Sequence, residues 1–249
     1  MRPFCKSVRR SLSMVIAGSL GLGMAALAVV PGPAYASIPK HPVWKSSAKF
    51  GAWNNHGFIV YNNEWNTSEA GPQTIWADSF HHWGVESTQA DTTSVKTYPS
   101  VQKNYNHPAL SRFKGLVSTF TQSMPRASAN YDAEAAYDLW LNNNNIEVMM
   151  WVDNHGQTPA GSVIAHINIF GRKFAVWKSG SNLFSFVVGS KLTRGRAHLL
   201  SALRWLVKKH LISSSATMTQ VNFGWEICST DKKPLDFTVT GYGLSSSLR

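Results

Sequence analysis

The chain has 249 residues, with 24 Lys+Arg against 13 Asp+Glu for a formal net charge of +11, and two cysteines. That length holds one domain with a sizeable core. The positive charge is scattered, which excludes a concentrated nucleic-acid surface and leaves only weak attraction to acidic surfaces; the cysteines and histidines lack the spacing of a zinc ligand set.

In chain order, Arg2, Lys6, Arg9 and Arg10 precede an uncharged run over 14–30, and small residues stand at Ala34 and Ala36. This pattern predicts a secretory signal peptide over residues 1–36, cut before Ser37. Its removal takes away four of the 24 Lys+Arg and no acid, so the formal net charge falls from +11 to +7. Cys5 leaves with it, and Cys228 alone permits no internal disulfide. The mature chain is expected to be secreted, without stable membrane association, and monomeric. Residues 37–50, rich in Pro and Ser, are read as a loose lead-in, and 51–249 as a single domain.

The domain reads as mostly β. Short runs rich in Val, Ile, Phe and Trp occur at 56–65, 73–84, 146–153, 162–180, 182–189 and 219–230, broken by Gly, Asn, Ser and Pro. The "FGRKF" break at 170–174 predicts a tight hairpin turn. One segment changes period: over 196–211 apolar residues fall at 199, 200, 203, 206 and 207, one face of a helix. The cluster Lys208-Lys209-His210 suits its C-terminal end, where cations meet the helix dipole. The expected fold is an all-β jelly-roll sandwich of two antiparallel sheets, with a concave groove and one α-helix packed on the back.

Two strands carry acids. Alternation along 146–153 puts Glu147, Met149, Trp151 and Asp153 on one face and Val148, Met150 and Val152 on the other, a core face. Along 219–230 it puts Val221, Phe223, Trp225 and Ile227 on a core face, and Glu226 opposite with Asn222, Gly224 and Cys228. A single strand Glu is more often a solvated surface residue. Two of them on open faces, among many aromatics, are what glycoside hydrolysis needs, with one carboxyl protonating the leaving oxygen and the other attacking carbon or activating water. Among ten Trp residues, Trp53, Trp65, Trp83, Trp151 and Trp177 are read as sugar-stacking surfaces. Trp140, Trp205 and Trp225 are read as core. His155 is placed on a loop.

At these positions the sequence resembles glycoside hydrolase family 12. "EVMMW" (147–151) is similar to that family's Glu-x-Met-x-Trp strand, "YNNEW" (61–65) to its Asn-Asn-x-Trp segment, and "VKTYPSV" (95–101) to its Val-Lys-Ser-Tyr-Pro segment. "AAYDLW" (135–140) resembles its Ala-Tyr-Asp strand, "TPAGSV" (158–163) its Pro-x-Gly loop, and "FGWEI" (223–227) its Gly-x-Glu acid/base. The resemblance implies endo-acting, retaining hydrolysis of β-1,4-glucans with no cofactor or metal. It makes Glu147 the nucleophile, Glu226 the acid/base and Asp138 the partner of Glu147. Asn63, Trp65, Met149, Trp151 and Trp53 become groove contacts. Read on its own, Asp138 suits a strand-edge turn equally well. Departures stand at Trp225, at "ICST" after Glu226, and at Glu64 and Asn66 around Trp65. They keep open an alternative of another class, a lectin-like jelly roll that binds glucan without turnover.

Overall fold

A computed structural model describes residues 38–249; the signal peptide read over 1–36 lies outside the described residues. The chain runs through β1 (Trp44–Ser46), β2 (Ala52–Asn55), β3 (Phe58–Tyr61), β4 (Gln73–Ser79), β5 (His82–Ser87), β6 (Ser100–Asn104), β7 (Phe113–Ser123) and β8 (Asp132–Leu141). It continues through β9 (Ile146–His155), β10 (Ser162–Ile169), β11 (Arg172–Ser179), β12 (Leu183–Val188), β13 (Arg194–Ala197), α1 (Leu199–Lys208), β14 (Met218–Ser229) and β15 (Leu235–Leu248). They form a jelly-roll sandwich. One sheet has six strands in the order β1-β4-β5-β15-β7-β13, and the other nine in the order β10-β11-β12-β9-β8-β14-β6-β3-β2.

Local sequence explains the joints. Positive φ at His56 and Gly57 turns β2 into β3, and positive φ at Phe170 and Gly171 turns β10 into β11, the tight hairpin that "FGRKF" predicts. Asn142, Asn143 and Asn144 all have positive φ and turn β8 into β9. Asparagine tolerates that region because its short amide can bond locally. Three residues of the lead-in, Trp44–Ser46, pair with β4.

The inner faces meet in a dense apolar core. Trp83 and Trp225 are both fully buried, with ring centroids 5.0 Å apart, and Phe223 lies against Tyr137 at 4.6 Å. The helix is shorter than its periodicity predicts, because Arg194–Ala197 extend as an edge strand on β7. Its buried residues Leu199, Leu200, Ala202, Leu203 and Leu206 face the core, and Trp205 meets Phe186 edge-on at 5.9 Å. The sheets are antiparallel except where β12 runs parallel to β9.

Candidate active site

The concave face of the nine-stranded sheet bears a groove of about 550 Å³ lined by Glu147, Asp138, Glu226, Trp140, Tyr98 and Trp65 among others. Strand alternation builds it. On β8, Glu134, Ala136, Asp138 and Trp140 face the groove while Tyr137 and Leu139 face the core. On β14, Gln220, Asn222 and Glu226 line the groove or border it, and Val221, Phe223, Trp225 and Ile227 are fully buried behind.

Register fixes the relative levels. Asp138 stands opposite Met149 on β9 and Asn222 on β14. Glu147 stands opposite Trp140, and Glu226 opposite Glu134. From residue 134 to residue 140 is six residues of β8, ~20 Å of strand. Glu147 and Glu226 thus line one groove at two different levels, with Asp138 between them. The hairpin register set by Leu141 against Ile146, together with the β8–β14 register, sets these levels.

Tyr98 is the buried centre of the acid row. Its O–H donates to the Ala136 carbonyl at 3.0 Å. Burial pushes its phenol well above the usual range, and the charges of Asp138, Glu226 and Glu134 push further in the same direction. It is therefore a neutral donor at neutral pH. Asn63 has φ 44° and donates from Nδ2 to the Tyr98 carbonyl at 3.2 Å, tying the 61–65 segment to the groove. Glu64 turns away from it. The Asn62 amide donates to Glu64 at 2.8 Å, and burial raises the Glu64 carboxyl above its ordinary range despite that bond and the nearby Lys49.

Several expected contacts lie elsewhere. Trp53 is on the core side of its strand, opposite Val60, and stacks on Trp44 at 6.2 Å. Trp83 belongs to the core beside Trp225. Met149 and Trp151 are on the groove face but 1% and 3% exposed; they pack with Ala136 and Leu183 as the layer beneath the groove surface. Trp177 on β11 stands opposite Ser185 of β12, which stands opposite Met149; it shares that face but is not among the residues lining the groove. Asp153 is on the core side, because Ala136 pairs with Trp151 and Ala135 with Asp153. This bulge makes Val152 an extra residue and reverses the alternation. Asp153 there accepts from Gln122 Nε2 at 3.2 Å. His155 ends β9 rather than sitting on a loop, and stacks on Tyr131 at 4.1 Å.

Conversely, Trp140 lines the groove and is not core. Alternation from Asp138 places it on the acid face, a signal available in the sequence. Glu134 and Tyr98 also escape sequence reasoning: the first lies two alternations before Asp138, the second within "VKTYPSV". Asn222 lines the groove beside Asp138. Among the described residues no cluster of His, Cys, Asp and Glu is arranged to hold a metal ion.

The sequence model of glycosyl hydrolase family 12 matches residues 56–245. The chain is 26% identical over 199 residues to xyloglucan-specific endo-beta-1,4-glucanase 1 of Phytophthora sojae, covering 71% of this chain and 83% of that protein. It is 28% identical over 188 residues to the inactive glycoside hydrolase XLP1 of Phytophthora nicotianae, covering 68% of this chain and 79% of that one. Among solved structures, the xyloglucanase domain of NopAA, a type three effector from Sinorhizobium fredii in complex with cellobiose, superposes with a TM-score of 0.76 at 25% identity. The match covers 83% of this chain and all of that one. With a family model spanning β3 to β15, the protein belongs to glycosyl hydrolase family 12.

Proposed function

We propose that this protein is a secreted, endo-acting β-glucan glycoside hydrolase that cleaves β-1,4 bonds with retention. The observation that carries the reading is the open groove on the concave sheet with Glu147, Asp138 and Glu226 along it. The family and the glucanase relatives support the same substrate class. The open groove accommodates an internal stretch of polymer, which suits endo cleavage. Secretion rests on the pattern over residues 1–36; among the described residues no helix is long and apolar enough to cross a membrane.

In this reading Glu226 gives its proton to the glycosidic oxygen as the bond from that oxygen to the anomeric carbon breaks. A Glu147 oxygen bonds to the anomeric carbon. Water then opens the ester, its proton passing to Glu226. Asp138, between the levels of Glu147 and Glu226, orients the Glu147 side. Tyr98 O–H and the flat face of Trp140 border the sugar path.

The Glu-x-Met-x-Trp strand supports Glu147 as nucleophile. A second reading, glucan binding without turnover in which the acids serve only as hydrogen-bond partners of sugar hydroxyls, is favoured by the likeness to the inactive glycoside hydrolase XLP1. Incubation with a 2-deoxy-2-fluoro cellobioside carrying an activated leaving group, followed by peptide mass mapping, separates the two. A glycosyl adduct on Glu147 is expected. An unlabelled protein that still binds cello-oligosaccharides would establish the second reading.

A further inference from the structure

Glu226 has a like-charged neighbour, and it is not Glu147. Glu134 on β8 stands directly opposite Glu226 on β14. Directly opposed residues on one face have Cβ atoms ~4.5–5.5 Å apart. Glu134 is 0% exposed and Glu226 9%, so neither carboxyl has much water to screen it. Two carboxyls in that situation disfavour double ionisation.

The rest of the neighbourhood sharpens this. Along the same face of β8 stands Asp138, a third acid. On β9 the residue opposite Glu134 is the neutral Asn154, whose amide is engaged with Gln157; the Gln157 amide in turn donates to the Glu226 carbonyl at 2.9 Å. From the segment before β6, Tyr98 contributes a neutral phenol. Beyond Glu226 on β14, the Lys96 ammonium donates to the Cys228 carbonyl and to Thr92 Oγ1. At the far end of β8, Asp132 faces Ser229, and the imidazole of His155 lies on Tyr131.

We propose that Glu134 is a positioning residue for Glu226: the two carboxyls share one proton across neutral pH, so Glu226 keeps a proton to donate. The inference rests on the acid/base reading of Glu226, but the proton sharing itself does not require turnover. The pair titrates as a unit, in two steps that belong to both residues. The second proton leaves only when a second negative charge must form beside the first. That places the alkaline limit of activity above the value Glu226 would have beside a neutral neighbour.

The test compares the mature chain with Glu134→Gln and Glu134→Asp. The pH dependence of kcat/KM on soluble xyloglucan and mixed-linkage glucan is measured, alongside carboxyl carbon-13 NMR titration of both glutamates. Glu134→Gln is expected to move the alkaline limb down by about one pH unit or more, and Glu134→Asp to restore most of it. In the parent, NMR should show one proton held by the pair above pH 7. Unchanged alkaline limbs in a Glu134→Gln protein that melts like the parent would overturn the proposal. If no variant hydrolyses glucan, the NMR titration still decides. Two independent, ordinary glutamate titrations would overturn it, and a retained shared proton would uphold it while the hydrolase reading fails.

Discussion

Gly224 is the residue on which sheet closure and acid placement depend together. It lies on β14 between Asn222 and Glu226, opposite Ser100 on β6 and Ala136 on β8. A Cβ added there would meet the Pro99 carbonyl oxygen at 2.0 Å and the Ser100 Cα at 2.8 Å. The first approach is ~1.5 Å short of an ordinary contact of ~3.5 Å. Both obstacles are backbone, so no rotamer change relieves them, and β6 must draw away from β14. Overpacking of this kind costs about 1–3 kcal/mol, and the lower unfolded-state entropy of alanine offsets about 0.4–1 kcal/mol of it. The net destabilisation of Gly224→Ala is then about 1–2 kcal/mol, or roughly 2–8 °C in Tm for a domain of this size. Tyr98 lies just before the strand that moves and Glu226 lies on β14 beside it, so glucan hydrolysis should fall by about tenfold or more. Thermal unfolding followed by circular dichroism, with initial rates on soluble glucan, measures both. A Tm within about 1 °C of the parent and an unchanged rate would refute the reasoning.

Trp140→Ala should raise KM for glucan oligomers by about tenfold, the loss of one aromatic stacking surface of ~1.5 kcal/mol, while Tm changes little because Trp140 is partly exposed at the groove. Trp83→Ala should do the reverse, costing about 3–5 kcal/mol of stability, because its ring is fully buried beside Trp225; denaturant titration of the two variants checks the contrast. Asp153 is held above its ordinary carboxyl range chiefly by burial, against the Asn154 N–H, Lys191 and Gln122. An acid whose folded value is raised contributes its stability below the unfolded value and loses it as pH rises through the folded one. Asp153→Asn should therefore gain stability over the parent on going from pH 3 to pH 7; a gain that shrinks with rising pH would contradict this assignment.

Much of the fold was legible because its strands announce themselves. The β9, β11, β12 and β14 runs carry dense Val, Ile, Phe and Trp, and the late helix carries an apolar face at helical spacing. The strands that escaped are less apolar in pattern. β15 ends in a Gly- and Ser-rich stretch that reads as loop, yet it pairs with β7 along most of its length. The faces of β9 and β14 followed from alternation alone up to Val152, where the bulge sent Asp153 to the core. Local pattern does not encode such an insertion, because it depends on what β8 offers as partner. Trp53 and Trp83 illustrate the same boundary. An indole is equally suited to sugar and to core, and only the opposite sheet decides. The levels of the acids depended on the register of the β8–β9 hairpin against β14, which lies far along the chain. The residues Glu147, Asp138 and Glu226 could be found from the chain, whereas their levels along β8, and the Glu134 neighbour of Glu226, could not.

The central claim is that Glu147 and Glu226 make this groove a hydrolase. The most direct measurement is reducing-end release from xyloglucan, mixed-linkage glucan and carboxymethylcellulose by the chain from Ser37 onward, beside Glu147→Gln and Glu226→Gln. The account predicts activity on at least one polymer that collapses in both variants while glucan binding persists. A parent without activity that binds glucan as tightly as both variants would contradict it, and would leave a glucan-binding protein built on a hydrolase fold.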